Sequence, residues 1–171
     1  MRKRIILILV LLSLPVFSAG KLNVGNSIPE VMMVRDQNRA LVNLNDIYMK
    51  KSKPLLINFF SITCKPCTKE IPEIQQLFEK YGAKVNMVLI SIDQGRSNQV
   101  QGLVDEYIKE LNAKITIPVY INGANMAMDF GGTSIVLPST FVVSREGKII
   151  MLFSGYSEQN MKTLDNICRK F

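Results

Sequence analysis

Histidine and tryptophan are both absent from the 171 residues, and cysteine occurs only three times. Without histidine there can be no Cys-His zinc site, no thiol activated by an imidazole base and no C-x-x-C-H haem attachment, since Thr68 stands where that histidine would be. Any general base must therefore be a carboxylate, a lysine or a thiolate. No internal repeat, low-complexity tract or linker interrupts the chain. Its length suits one domain with its own hydrophobic core.

The chain also lacks an apolar run of the ~20 residues that a bilayer-spanning helix needs. What it has instead is shorter. Arg2, Lys3 and Arg4 precede an unbroken apolar stretch from Ile5 to Leu12, extended by Leu14 to Phe17 and followed by Ser18, Ala19 and Gly20. Pro15 weakens the far end of that stretch as a helix. This layout predicts a secretory signal peptide over residues 1–20, the alternative being an uncleaved N-terminal anchor. The expected folded domain is then 21–171, in a periplasmic or otherwise extracytoplasmic compartment.

The formal charge is +7, and removal of the leader leaves 18 basic against 14 acidic residues. The remaining Lys and Arg are scattered rather than striped, so no nucleic-acid partner is expected. An exported chain can keep disulfides. Cys64 and Cys67 are too close in sequence for a bridge that adds much chain-entropy stabilisation, which favours reversible chemistry over architecture. Cys168 is left over; its spacing in an amphipathic helix predicts a buried small hydrophobe.

The hydrophobic pattern predicts one α/β sandwich, parallel in part and antiparallel at its end. A small hairpin flanks Asp36-Gln37-Asn38-Arg39, and a short helix runs from Asn45 to about Lys50, capped by Asn45 or Asn43. Leu55 to Phe60 reads as a strand buried on both faces. From Pro66 the period becomes helical through Ile71, Ile74, Leu77, Phe78 and Tyr81, with Pro72 inside, expected to kink the helix and free the Thr68 carbonyl, and Gly82 as the stop. A second buried strand covers Val85 to Ile92. A helix N-capped by Ser97 buries Val100, Leu103, Val104, Tyr107, Ile108 and Leu111. Extended chain from Ile115 to Ile121, a short helix near 124–130, a hairpin turning at Arg145-Glu146-Gly147-Lys148 and a last helix started by Ser157 complete the order.

A C-x-x-C that follows a buried strand and opens a helix is built for thiol exchange. Helix N-terminal N–H groups favour a thiolate on the first cysteine, and the second lies one turn further in. Cys64 is thus the expected nucleophile and Cys67 the resolving thiol. Pro66 suits the first helical turn, where its missing N–H costs nothing. With no second cysteine pair, a zinc site is not expected.

The run Asn58-Phe59-Phe60-Ser61-Ile62-Thr63-Cys64-Lys65-Pro66-Cys67-Thr68-Lys69-Glu70-Ile71-Pro72-Glu73 resembles the active-site stretch of the TlpA/ResA-like branch of the thioredoxin superfamily. Leu137-Pro138-Ser139-Thr140-Phe141 is similar to that branch's cis-proline loop. Arg145 to Ile149 resembles its hairpin turn, and Val24 to Pro29 its entry segment. The resemblance covers essentially all of 21–171. It implies a thioredoxin-like three-layer sandwich with a mixed central sheet, an N-terminal hairpin extension and an inserted helix-strand element. It also implies protein thiols and disulfides as substrates, a membrane-bound or soluble redox donor, no cofactor and a monomer.

On the same basis Pro138 would be cis and lie against the disulfide, while the backbone of Leu137 would pair with an extended substrate. Glu70 would relay a proton to or from Cys67, or else be a solvated first-turn glutamate. Asn58 stands where thioredoxins proper carry a buried aspartate, which strengthens the case for Glu70. Thr63 replaces the tryptophan usual before the first cysteine. Lys65 favours a Cys64 thiolate, and so a more oxidising couple, against the branch's usual reductant role in settings such as cytochrome c maturation. A peroxiredoxin-type peroxidase would need proline at Ile57, and a copper chaperone on this fold would have wider cysteine spacing plus histidine. Those two, and a non-catalytic interaction module with a vestigial disulfide, remain the alternatives.

Overall fold

The computed structural model describes residues 21–49 and 53–171. The expected signal peptide, residues 1–20, lies outside the described residues, as does the end of the helix predicted to reach Lys50. Among the described residues no helix is long and apolar enough to cross a membrane.

The strand Leu55–Phe60 (β3) is buried along its whole length, as its unbroken apolar run requires. It pairs in parallel with Asn86–Ser91 (β4) on one side and antiparallel with Ser139–Val143 (β6) on the other. Val119–Tyr120 (β5) adds to the far edge of β4, and Ile149–Ser154 (β7) adds antiparallel to β6, so the mixed sheet runs β5-β4-β3-β6-β7. A separate hairpin of Met33–Arg35 (β1) and Leu41–Asn43 (β2) precedes it.

The period-2 alternation of β3 divides the core in two. Leu56 and Phe60 face a layer formed by the helices Cys67–Tyr81 (α2), Ser97–Glu110 (α3) and Glu158–Lys170 (α5), through Ile71, Ile74, Val104 and Leu164. Leu55, Ile57 and Phe59 face the helices Leu44–Tyr48 (α1) and Ala124–Gly131 (α4) and the hairpin. There Phe59, Phe130 and Phe141 meet edge to face with centroids 5.0–5.9 Å apart. This is the three-layer arrangement implied by the resemblance, with α3 and β5 as the inserted element.

Several local expectations change. The first helix begins at Leu44 with Asn43, not Asn45, as its cap: Asn43 Oδ1 accepts from the Asn45 N–H at 3.2 Å. Ser97 is the first residue of α3 rather than its cap, which is Arg96 with no side-chain hydrogen bond. Its hydroxyl instead accepts from Asn122 Nδ2. Leu103 is half exposed because only Val100 and Val104 of α3 are fully buried against the sheet. The extended stretch 115–121 shrinks to a two-residue strand. Its earlier N–H groups, from Thr116 and Ile117, go to the buried side-chain oxygen of Gln75 on α2 instead of a neighbouring strand. Helix α2 continues unbroken through Pro72.

Candidate active site

Strand β3 ends at Phe60, and α2 begins seven residues later at Cys67. The Cys64 N–H donates to Ser61 O at 3.0 Å, and the Cys67 N–H to Cys64 O at 3.1 Å. Cys64 and Cys67 form a disulfide with Cα atoms 5.3 Å apart. The two sulfurs differ in access: Cys67, the first residue of α2, is fully buried, while Cys64 stands just outside the helix and is half-buried. Lys65 and Pro66 are exposed between them. A partner disulfide can therefore reach Cys64 and not Cys67, which is the access a nucleophile and a resolving thiol require.

The Leu137–Pro138 peptide is cis. Pro138 is buried and its carbonyl accepts from the Gly155 N–H at 2.7 Å. Leu137 is half-buried and packs on the apolar cluster that also receives Ile62 and Cys64. Val136, before it, is exposed.

Glu70 is not a solvated first-turn glutamate. It is 3 % exposed and points inward toward β3 and β6. Its Oε1 accepts from Thr140 Oγ1 at 2.7 Å and from Asn58 Nδ2 at 3.1 Å, and Asn58 Nδ2 also donates to Thr140 Oγ1 at 2.9 Å. Glu70 Oε2 and Asn58 Oδ1 are buried without a hydrogen-bond partner. Burial raises the Glu70 carboxyl from 4.5 to about 7, a rise reinforced by the Glu73 charge and opposed by the Thr140 hydrogen bond. Glu73, one turn on, accepts from Tyr156 Oη at 2.6 Å, which pushes that phenol up to about 12.

Sequence reasoning alone does not find Thr140, Asp93 or the Glu73–Tyr156 pair. Cys168 is fully buried in α5 and unpaired, and burial raises its thiol to about 11. It takes no part in the Cys64–Cys67 arrangement.

The profile of the redoxin family matches residues 23–167. Thiol-disulfide oxidoreductase ResA of Bacillus thuringiensis subsp. konkukian is 29% identical over 151 residues, covering 88% of this chain and 79% of that protein. Two solved structures share the fold. One, described as a putative thiol:disulfide interchange protein DsbE from Chlorobium tepidum, has TM-score 0.69 and 20% identity over 85% of this chain and 95% of its own. The other, a putative protein disulfide isomerase from Bacteroides thetaiotaomicron, has TM-score 0.73 and 20% identity over 87% of this chain and 89% of its own. With a disulfide between an accessible and a buried cysteine at the start of α2, the chain belongs to the redoxin family as a ResA-like thiol–disulfide oxidoreductase of the thioredoxin superfamily.

Proposed function

We propose that this protein reduces disulfides of exported proteins through its Cys64–Cys67 dithiol. The observation that carries the reading is the pairing of an accessible Cys64 with a buried Cys67 one turn ahead of a buried Glu70. The Cys64 thiolate attacks one sulfur of the substrate disulfide, forming a mixed disulfide and expelling one substrate thiolate, which takes up a proton. Cys67 then loses its proton and attacks Cys64 Sγ, releasing the second substrate thiolate and closing the Cys64–Cys67 disulfide. Two electrons pass to the substrate, and a separate dithiol donor, membrane-bound or soluble, must return them.

Glu70 suits the proton step. A carboxyl raised to about 7 can both accept a proton from Cys67 and give one back near neutral pH. The cis Pro138 and the Leu137 backbone form the docking edge for an extended substrate, with the exposed Lys65 and Pro66 between the cysteines as further contacts. The basic-apolar-small layout of residues 1–20 supports action outside the cytoplasm. Both cysteines come from one chain, so a monomer suffices.

The test is a Cys67→Ser variant, which retains substrates as mixed disulfides on Cys64, together with the Cys64/Cys67 reduction potential measured against glutathione. Trapped proteins that carry disulfides in the cell, with a potential well below that of the strong oxidases (about −120 mV), support the reductant. A potential near −120 mV with only reduced proteins trapped reverses the direction.

A further inference from the structure

Asp93 follows the C-terminal end of β4, and two of the three hydrogen bonds its carboxylate accepts come from the loop that delivers Cys64. Its Oδ1 accepts from Ser61 Oγ at 2.6 Å, and its Oδ2 from the Ile62 N–H at 3.0 Å and from the buried Ser91 Oγ at 2.8 Å. The neighbouring Ile92 N–H donates to Phe60 O at 2.9 Å, which ties the chain after β4 to the last residue of β3, where the loop begins. A hydroxyl has a single proton. The Ser61 proton goes to Asp93, so in the 3.1 Å contact between Ser61 Oγ and Thr63 Oγ1 it is Thr63 that donates. Ser61 Oγ also accepts from the Thr63 N–H at 3.3 Å. Hydrogen bonds thus run in one direction, from Thr63 to Ser61 to Asp93 and from Ile62 directly to Asp93, so all three residues between β3 and Cys64 are tied to this carboxylate. Ser61 O receives the Cys64 N–H at the end of the same loop.

A packed strand end would not need this arrangement. Residues 61–63 belong to no helix or strand, so no ladder fixes them, and one carboxylate replaces it. We infer that Asp93 is a positioning residue for thiol–disulfide exchange: it fixes the 61–63 loop and thereby the direction from which Cys64 meets a substrate disulfide. This inference rests on the exchange reading above. In-line attack of one sulfur on another is sensitive to small misplacement, and a shift of about 1 Å can cost up to ~100-fold in rate.

The experiment compares wild type with Asp93→Ala, Asp93→Asn and Ser61→Ala in two reactions: reduction of a protein disulfide, and alkylation of Cys64 by iodoacetamide across pH. Asp93→Ala leaves three donors without an acceptor and frees the loop. The expected result is a loss of at least about tenfold in the second-order exchange constant, with less than about threefold change in the plateau alkylation rate, which has no docked sulfur to align. Asparagine keeps an acceptor for Ile62 and Ser91 and lets Ser61 turn to accept, so it should recover most of the loss. Ser61→Ala, which removes one of the three Asp93 contacts together with the Thr63 hydrogen bonds to Ser61 Oγ, and keeps Asp93 on Ile62 and Ser91, should fall between.

Exchange by Asp93→Ala within twofold of wild type overturns the positioning role, as does an equal drop in exchange and alkylation. Should Asp93→Ala fail to fold, Ser61→Ala decides, and wild-type exchange in that variant overturns the inference. A wild type that exchanges no disulfide, or a Cys64→Ser variant that still does, overturns the functional reading itself and is distinguishable from either result.

Discussion

Replacing Glu70 by glutamine removes a carboxyl that burial keeps protonated up to about pH 7. In the unfolded chain the same group ionises near its ordinary value of 4.5. Between those values the folded state binds the proton and the unfolded state does not, so unfolding releases it. Stability from this source is complete below pH 4.5 and is lost as the pH rises through about 7. At roughly 1.4 kcal/mol per unit the loss reaches about 3 kcal/mol above pH 8. Glutamine is neutral throughout, close in shape, and keeps an acceptor for Thr140 and Asn58. Glu70→Gln should therefore melt within a few degrees of wild type at pH 4.5 and about 6–12 °C above it at pH 8.5. Thermal unfolding of the oxidised protein, followed by circular dichroism from pH 4.5 to 9, reads this gap directly. In exchange assays the same variant should lose an inflection near pH 7, while Glu73→Gln, which removes a neighbouring negative charge, should move that inflection to lower pH. A melting gap that stays constant across the range, or an inflection that survives Glu70→Gln, refutes the reasoning.

Asn58→Asp puts a second carboxyl 3.1 Å from Glu70 Oε1, where both cannot ionise. Urea unfolding should show a loss of roughly 3–5 kcal/mol at pH 8 and a much smaller one at pH 5, where the pair keeps its protons. Lys65→Ala removes a positive charge beside Cys64; equilibration with glutathione should show a more reducing couple, by less than about 30 mV because the lysine is exposed. Cys168 should resist iodoacetamide in the native protein at pH 8 and react fully in urea, read by mass spectrometry, because it is buried and its thiol is raised to about 11.

The parts of the fold legible in the sequence are those that local pattern controls. The apolar run 55–60, the helical period after Pro66 and the Ser157 cap each belong to one continuous segment, and Ser157 Oγ does accept from the Asn160 N–H at 3.1 Å. Expectations fail where a distant side chain decides. Gln75 takes the N–H groups of Thr116 and Ile117 across 41 and 42 residues and so shortens β5. The same division holds at the site. The cysteine pair is adjacent in sequence and easily found. The environment of Glu70 depends on Asn58 and Thr140, 12 and 70 residues away, and only the β3–β6 register, which sets Asn58 opposite Thr140, brings them together. No local spacing could separate a buried, proton-holding Glu70 from a surface one.

That environment also bears on the conflict between Lys65 and a reductant role. Lys65 is exposed, and water and salt screen its pull on the Cys64 thiolate. Glu70 is buried one turn beyond Cys67, where screening is weak, and among the described residues its hydrogen-bond partners are the neutral Asn58 and Thr140. Once ionised it disfavours a second negative charge on the dithiol. This raises the free energy of the ionised reduced form relative to the disulfide and makes the couple more reducing. Below pH 7 Glu70 is neutral and opposes nothing, leaving Lys65 to act alone. Lys65 therefore acts throughout the range, whereas the buried carboxylate opposes it only above neutrality.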